Sequence, residues 1–304
     1  MKACITGGNG FLGRHIVDNL IIRKISTIQL CRQTNTHNNI YYDMETTTPR
    51  KNWFVGCSCL IHCAAKVHTQ KNKSPDHHSD LYTNSTKKLI QVAISAGISH
   101  IIFMSSVSVY GKHSSSTPIH VNEPLNPNSQ YGYTKVREEK LITKLCNQSG
   151  ITYTIIRLPL IFGQNPPGNL SQLMLLSNTR IPLPFLNLNN QRSMVYIKNI
   201  SDFVGYVVKS RPNSSSTILF TDNIQLSTSE LVTLMRHNKG KRRNLFFLPA
   251  ILLYTVFRAL NKSKIYEQLY EDLIFISSDE IHAYGWNQPY SRKDAIRNTF
   301  PECK

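Results

Sequence analysis

The chain has 304 residues, 40% of them apolar, and carries a formal net charge of +17 at pH 7. This length and composition allow a substantial buried core. The seven cysteines are an odd number scattered along the chain, which argues against a disulfide framework. The positive charge indicates acidic partners, but the basic residues are also spread out and form no nucleic-acid motif, so we expect no nucleic acid among the partners.

A glycine-rich turn near the N-terminus joins a predicted strand, residues 2–6, to a predicted helix, residues 11–22. Glycines in such a turn let the backbone bend sharply, approach a pyrophosphate and pack the helix on the sheet, while the helix N-terminus offers free N–H groups to the anion. A turn before an ordinary helix is the alternative. The motif predicts a dinucleotide site formed by Gly7, Gly10, Phe11, Leu12 and Gly13.

The second predicted strand, residues 27–30, ends at Cys31 and Arg32 rather than at an acid. An acidic residue at this place binds the ribose hydroxyls of NAD, whereas an arginine can pair with the 2′-phosphate of NADP. An exposed arginine without a ligand is the alternative. We therefore expect NADP or NAD as the cofactor, with NADP favoured.

Cysteine and histidine residues cluster at positions 57–68, which raises the question of a metal site. Their spacing fits no common zinc pattern, and residues 59–65 have the composition of a buried strand in which cysteine acts as a small apolar residue. We therefore predict a buried strand there and no metal.

A predicted buried strand, residues 101–104, leads directly into Ser105, Ser106 and Ser108. In open α/β sheets ligands bind at the carboxyl ends of the strands, so these hydroxyls are placed to meet a substrate. Ser106 could donate a hydrogen bond to a substrate oxygen. For Ser105 and Ser108, turn or cap roles are the alternative.

Tyr131 and Lys135 are one helical turn apart at the start of a predicted helix that continues through residues 136–145. A phenol with a pKa of about 10 is a poor base at neutral pH, but an adjacent ammonium group lowers that pKa. Lys135 would therefore let Tyr131 act as an acid or a base. A chance pair on a solvated helix face is the alternative if the pair is considered alone.

These motifs together resemble those of the extended short-chain dehydrogenase/reductase family, which comprises nucleotide-sugar epimerases, dehydratases and reductases. The resemblance covers nearly the whole chain. It implies an α/β fold, a Rossmann-type doubly wound parallel sheet with a smaller C-terminal substrate lobe. It also implies that Ser106, Tyr131 and Lys135 are catalytic, and that Lys135 holds the nicotinamide ribose.

Three further segments, residues 60–65, 84–86 and 155–163, resemble family motifs. The resemblance implies that Asp43 contacts the adenine of the cofactor. It implies further that the cofactor is lined by Ala64, Ala65, Asn84 and Pro159, the last of these near the nicotinamide.

The domain organisation follows from the order of the predicted elements. Strands and helices alternate to about residue 163, and a Pro/Asn-rich stretch follows at residues 164–169. We predict an NAD(P)-binding Rossmann domain at residues 1–163 and a substrate-binding lobe formed mainly by residues 164–304. Later segments, near residues 194–197 and 216–220, are expected to return to the sheet or to the lobe.

The resemblance also extends to the substrate lobe. Residues 190–197 resemble the segment whose arginine binds the diphosphate of a UDP-sugar, which makes Arg192 a candidate anion anchor. Asn169 resembles a residue that contacts the same ligand, with an ordinary loop amide as the alternative. Ser106 and Tyr131 would contact the sugar. Residues 181–197 are most similar to UDP-hexose 4-epimerases and to reductases of UDP-4-keto-6-deoxy-N-acetylhexosamines in bacterial surface-polysaccharide synthesis.

The chain lacks a pair of acidic residues that one type of reaction in the family requires. The 4,6-dehydratases of the family have an Asp-Glu pair directly after the catalytic hydroxyl, where this chain has Val107 and Ser108. We therefore expect hydride transfer at a sugar carbon, with C4 favoured. Reduction of a 4-keto sugar is favoured because Arg32 suggests exchangeable NADPH. A UDP-hexose 4-epimerase and a non-catalytic NADP-binding sensor are the alternatives.

The surroundings of the protein are suggested by its terminus and by one apolar segment. The chain begins in a predicted strand without a secretory signal, so we expect a cytoplasmic protein. Residues 245–257 are apolar but too short to span a bilayer, and a buried helix from about Pro249 is favoured. Peripheral membrane contact is the alternative, because basic residues precede the segment. The family resemblance implies a homodimer.

Overall fold

Two β-sheets organise the computed structural model, which describes residues 1–33, 39–65, 75–240 and 244–301. The strands, in chain order, are β1 (Lys2–Thr6), β2 (Ser26–Cys31), β3 (Asn39–Tyr41), β4 (Cys59–His62), β5 (His100–Ser106), β6 (Thr152–Leu158), β7 (Leu160–Phe162), β8 (Arg192–Tyr196), β9 (Ser216–Leu219) and β10 (Ile224–Leu226). The larger sheet has the order β3-β2-β1-β4-β5-β6-β9 and all its pairings are parallel. The smaller sheet has the order β10-β8-β7.

Helices cover both faces of the larger sheet. In chain order the helices are α1 (Phe11–Ile22), α2 (Pro75–Ser95), α3 (Gln130–Ser149), α4 (Gly168–Ser177), α5 (Ile197–Ser210), α6 (Thr228–His237), α7 (Ala250–Ala259), α8 (Ser263–Tyr270), α9 (Glu280–Ala283) and α10 (Arg292–Thr299). Apolar residues of α1 and α5 pack on one face of the sheet, and those of α2 and α3 pack on the other. The predicted α/β doubly wound fold is therefore confirmed.

The strand sequences explain why both faces are covered. Neighbouring residues of one strand, such as Cys4 and Ile5 of β1, belong to the cores on opposite faces and are both fully buried. A strand whose two faces are buried has a continuous apolar run rather than an alternating pattern. Parallel pairing places Thr6 beside His62 and His62 beside Phe103, so the carboxyl ends of β1, β4 and β5 meet at one edge. This edge carries the candidate site.

The smaller sheet and its helices form the second part of the described structure. Apolar residues of α4, α6 and α10 pack with β7, β8 and β10 in a separate core. A division of the chain at residue 163 stays a prediction, and the two sheets share the chain across it. β7 precedes residue 163 but pairs with β8, whereas α5 and β9 follow it but belong to the larger sheet.

The apolar segment 245–257 forms a helix where one was predicted, since α7 begins at Ala250 with Pro249 as its N-cap. The expectation that this helix is buried is wrong. Ile251, Leu252 and Val256 are 72%, 52% and 54% exposed, because the helix packs through one side on α8 and leaves its other side bare. Across the residues that the structure describes, no helix is long and apolar enough to span a bilayer.

Candidate active site

The glycine turn between β1 and α1 is tightly packed. Gly7 has a left-handed backbone with φ of +69°, and its N–H donates to the carbonyl oxygen of Leu30 at 2.9 Å. A Cβ atom on Gly13 would lie 2.1 Å from the carbonyl oxygen of Gly7, so this close approach requires glycine. Gly10 is the N-cap of α1 and has no side chain that could accept from the amides of the first turn. These amides, which include those of Phe11 and Leu12, can therefore bind an anion.

The segment after β4 lies against this turn. A Cβ atom on Gly7 would be 3.1 Å from the backbone of Ala64, and the N–H of Ala64 donates to Thr6 Oγ1 at 3.1 Å. Ala65 follows and is exposed. Pro159 is buried between β6 and β7, and the side chain of Asn84 is exposed on α2. The structure thus places Ala64 beside the glycine turn.

Arg32 directly follows β2 and is exposed. The described residues that end β2 and follow it, Cys31, Arg32 and Gln33, include no carboxylate. Asn9 Nδ2 donates to the carbonyl oxygen of Gln33 at 2.9 Å and so ties the glycine turn to the segment that carries the arginine. Asp43, just beyond β3, accepts the Glu45 N–H at 2.8 Å, which is the geometry of an Asx turn. Asn9 was missed in the sequence, although it lies within the glycine motif.

The turn that follows Ser106 packs on the first turn of the helix that carries Tyr131. Ser106 ends β5, and its Oγ accepts the N–H of Ser108 at 3.2 Å at the start of a 3₁₀ turn, Val107–Tyr110. Gly132, in the first turn of α3, lies against this turn, because a Cβ atom there would be 2.5 Å from the carbonyl oxygen of Ser108. Tyr131 precedes that glycine in α3 and is half-buried.

Lys135 lies beneath Tyr131 and is 2% exposed. Its Nζ is 5.8 Å from the centre of the Tyr131 ring and 4.3 Å from that of Phe103. It forms an ion pair of 3.1 Å with Glu138 Oε2, one turn further along α3. Burial by itself lowers the pKa of Lys135, but the charge of Glu138 and the proximity of Tyr131 outweigh burial, so the pKa is raised above its ordinary value. The lysine is therefore a cation at neutral pH.

Arg192 lies at the start of β8, where its guanidinium group connects a loop to α8. It donates to the carbonyl oxygens of His113, Glu267 and Glu271 at 3.3, 3.2 and 2.9 Å. Burial lowers its pKa to about 10, which still leaves a cation at neutral pH. Asn169 is exposed and lies 3.5 Å from Gln268 Oε1, also on α8. The structure therefore places both predicted substrate residues against the same helix.

The chain is similar to known proteins over most of its length. The sequence profile described as the NAD dependent epimerase/dehydratase family matches residues 3–218. The chain belongs to this family. The UDP-glucose 4-epimerase of Vibrio cholerae is 26% identical to it over 306 residues, which cover 97% of this chain and 93% of that protein. The chain is thus an enzyme of the NAD dependent epimerase/dehydratase family.

Solved structures of similar proteins have the same fold. The UDP-N-acetylglucosamine 4-epimerase from Bacillus cereus superposes with a TM-score of 0.78 at 19% identity, covering 99% of this chain and 98% of that one. The UDP-glucuronic acid 4-epimerase from Bacillus cereus, solved in complex with NAD, superposes with a TM-score of 0.74 at 17% identity, covering 99% and 97%. NAD is thus bound in a structural neighbour of this family member.

A buried polar chain that sequence reasoning missed runs from the ion pair toward the glycine turn. Thr86 Oγ1 donates to Glu138 Oε1 at 2.7 Å and lies 3.2 Å from His62 Nε2, while His62 Nδ1 lies 2.7 Å from Thr6 Oγ1. Because the Thr86 proton is used on the carboxylate, His62 Nε2 must donate to Thr86 and Nδ1 must accept from Thr6. Burial, and then the charge of Lys135, lower the pKa of His62 to about 3, so the ring is neutral.

A second buried network holds α3 against the sheet. Glu139 accepts from Arg157 Nε at 3.1 Å and from its second terminal nitrogen at 2.8 Å, and it accepts from Ser105 Oγ at 2.5 Å. Arg157 also donates to the hydroxyl of Tyr110 at 3.0 Å. Ser105 therefore has a structural partner, but it lies within β5 and has neither the turn nor the cap role that was its alternative. Ser106 is the serine at the end of the strand. The sequence signal was the adjacent pair of acids after Lys135.

Of the cysteines near β4, Cys57 and Cys59 are buried and Cys63 is half-buried. Burial raises the pKa of Cys57 and Cys59, and it raises that of Cys63 to about 12 although Lys135 opposes the shift. Within the described ranges, no three His, Cys, Asp or Glu residues are grouped so as to hold a metal ion.

His113, which sequence reasoning also missed, accepts from Arg192 through its carbonyl oxygen, and its Nε2 lies 3.3 Å from Asn128 Nδ2.

Proposed function

We propose that this enzyme transfers a hydride between a bound nicotinamide dinucleotide and C4 of a UDP-sugar. The observation that carries the proposal is the placement of Ser106, Tyr131 and Lys135 at the same sheet edge as the glycine turn. That edge is where open α/β sheets bind their ligands. A non-catalytic sensor would have no use for these three groups.

Each side chain has a chemical role in this proposal. Ser106 Oγ donates to the substrate oxygen and polarises it, and the hydroxyl of Tyr131 gives or takes the proton of that oxygen. The Lys135 ammonium, 5.8 Å from the centre of the Tyr131 ring, stabilises negative charge that forms near it. The nicotinamide, when bound, supplies or accepts the hydride. The first-turn amides of α1 would hold the pyrophosphate.

We further propose that the physiological direction is reduction of a 4-keto UDP-sugar, in the synthesis of a surface polysaccharide. Arg32, with no carboxylate beside it at the end of β2, suits the 2′-phosphate of an exchangeable NADPH. Val107 and Ser108 lack the carboxyl groups that elimination of water requires. Reversible 4-epimerisation is the second candidate, and the epimerases named above favour it. Arg192 and Asn169, which both contact α8, would bind the diphosphate of the substrate.

The two candidates differ in what happens to the cofactor. Reduction predicts that NADPH is consumed in a one-to-one ratio with UDP-4-keto-6-deoxy-N-acetylhexosamine, measured by absorbance and by NMR of the product. Epimerisation predicts conversion of UDP-N-acetylglucosamine or UDP-glucose without net consumption of NAD. Failure of all these substrates would overturn the proposal of a C4 reaction on a UDP-sugar.

Tyr131→Phe tests the assignment of the proton-transfer residue. We expect turnover to fall by at least about 100-fold, the lower end of the range for general acid–base catalysis, while cofactor binding is retained. Tyr133→Phe is the matched control, because Tyr133 is on the same helix, two residues away, with a side chain that is 52% exposed. Equal turnover in the two variants would contradict the role given to Tyr131.

The assembly of the enzyme is a separate proposal. We propose a homodimer, which rests on the family resemblance of the chain. Light scattering coupled to size-exclusion chromatography measures the molar mass directly. A monomeric mass across the accessible protein concentrations would refute a stable dimer.

A further inference from the structure

One side of α7 is firmly attached to the rest of the protein. Leu253 is buried, and the rings of Tyr254 and Phe257 lie 5.4 and 6.1 Å from the ring of Tyr266 on α8. Tyr266 in turn stacks on Tyr270 with ring centres 5.0 Å apart. These aromatic contacts fix the orientation of α7 on α8.

The other side of α7 is apolar and bare. At 100° per residue, Ile251, Leu252 and Val256 span about 140° of the helix circumference, centred opposite the side that holds Leu253, Tyr254 and Phe257. Leu260 follows as the C-cap of the helix. Ile251, Leu252, Val256 and Leu260 are 72%, 52%, 54% and 60% exposed. Together with Phe247, which is 63% exposed just before the helix, they form what we call the α7 face. A contiguous apolar patch of this kind marks an interaction surface.

The charges around the α7 face identify its partner. From residue 231 to residue 266 the sequence contains no aspartate or glutamate. Arg258 is exposed on α7, Lys262 in the segment that joins it to α8, and Lys264 in the first turn of α8. Lys239 is exposed after α6. Lys241, Arg242 and Arg243, which the sequence also places before the apolar segment, lie outside the described residues. The face is therefore apolar, and the charged side chains described on α7 and in the segments that flank it in the sequence are basic.

We propose that the α7 face docks on an anionic membrane surface. An exposed apolar helix face rimmed by lysine and arginine binds such a surface through burial of its side chains at the headgroup boundary and through attraction to anionic lipids. A second copy of the chain fits less well, because a symmetric contact through this face would bring two sets of basic side chains together. Ten residues of helix lie on a bilayer rather than cross it.

Docking in this orientation would bring the substrate end of the site near the bilayer. α8, on which α7 packs, also supplies the carbonyl oxygen of Glu267 that accepts from Arg192, and Glu271, the C-cap of α8, supplies another. Arg192 is therefore one helix away from the proposed membrane contact. Docking requires no turnover, so its test is independent of the proposed reaction.

The test is flotation of the full chain with lipid vesicles. We expect the protein to float with vesicles of phosphatidylglycerol and phosphatidylcholine and to remain unbound with phosphatidylcholine alone. The double variant Ile251→Ser, Val256→Ser should lose at least about tenfold in partitioning, because it removes apolar surface that the membrane would bury. Val55→Ser is the matched control, since Val55 is 65% exposed next to the Lys51–Phe54 turn, in a different part of the fold.

Two further measurements keep the result unambiguous. Arg258→Gln with Lys262→Gln should weaken binding to the anionic vesicles by roughly fivefold per charge removed. In Phe247→Trp, the new indole should shift its emission to shorter wavelength when anionic vesicles are added. Three outcomes would each overturn the proposal. The wild type could fail to float with anionic vesicles, or the serine double variant could float equally well with an unchanged melting temperature. The third outcome is a wild-type dimer that dissociates in the serine double variant.

Discussion

Glu138→Gln measures how much the buried carboxylate beside Lys135 stabilises the protein. The two side chains are 3% and 2% exposed, and Lys135 Nζ lies 3.1 Å from Glu138 Oε2. Coulomb's law with an effective dielectric constant of about 20 gives roughly 5 kcal/mol at this distance. Removal of one partner of a buried pair costs about 3–5 kcal/mol, and this is the expected loss in the free energy of unfolding. Glutamine keeps the size of the side chain and an acceptor for Thr86, so charge is the main change.

The loss should depend on pH, because the lysine left without its partner can lose its proton. In the variant, burial lowers the folded-state pKa of Lys135 below its unfolded value of about 10.4. Between these two values the unfolded chain binds more protons than the folded protein, so the stability of the variant rises with pH by up to about 1.4 kcal/mol per unit. The loss in the free energy of unfolding relative to the wild type should therefore be as much as about 2.7 kcal/mol smaller at pH 9 than at pH 7.

Urea unfolding of the wild type and of Glu138→Gln at pH 7 and pH 9 measures this deficit in the free energy of unfolding directly. Glu139→Gln is the matched control, because Glu139 is the next residue, is also buried, and pairs with Arg157 at 2.8 Å. A guanidinium group keeps its proton in this range, so the Glu139→Gln deficit should be the same at both pH values. A Glu138→Gln deficit that is equally independent of pH, or smaller than about 1 kcal/mol, would refute the reasoning about the buried pair.

Three more predictions address the cofactor site and the core. Gly13→Ala should abolish dinucleotide binding, because the new Cβ atom would meet the Gly7 carbonyl oxygen at 2.1 Å, and isothermal titration with NAD and NADPH checks this. In the control Gly150→Ala a Cβ atom meets nothing within 4 Å, so this variant should still bind, although the φ of +65° at residue 150 strains alanine and lowers stability. Arg32→Asp should shift preference from NADPH toward NADH by at least about tenfold in Kd, which corresponds to about 1.4 kcal/mol, and an unchanged ratio would make Arg32 a surface residue. Burial lowers the pKa of His100 to about 4 in the folded protein. As the pH falls below about 6.5, this histidine is therefore protonated in the unfolded chain before it is protonated in the folded protein, and the free energy of unfolding should decrease by up to about 1.4 kcal/mol per pH unit. His100→Gln should flatten the pH dependence of urea unfolding between pH 6.5 and pH 4 by this amount, and an identical slope in both proteins would contradict the buried neutral ring.

Local patterns in the sequence determined the elements that carry the site. The predicted helix over residues 11–22 coincides with α1, Phe11–Ile22, because a glycine turn and an apolar period act over a few neighbouring residues. The buried strand predicted near residues 59–65 is β4, Cys59–His62. The same local signals placed Ser106 at the end of a strand and Tyr131 and Lys135 on one helix. The α/β fold follows from the alternation of such elements.

Contacts between distant residues were decided by the tertiary structure. The chain from Lys135 through Glu138, Thr86 and His62 to Thr6 joins residues from four elements, and only parallel pairing of β1 with β4 and packing of α2 on α3 make them neighbours. The exposure of α7 was also beyond the sequence, because an apolar period shows that a helix has a face to cover but not whether another element covers it. Local propensity depends on adjacent residues, whereas burial depends on the arrangement of the whole fold.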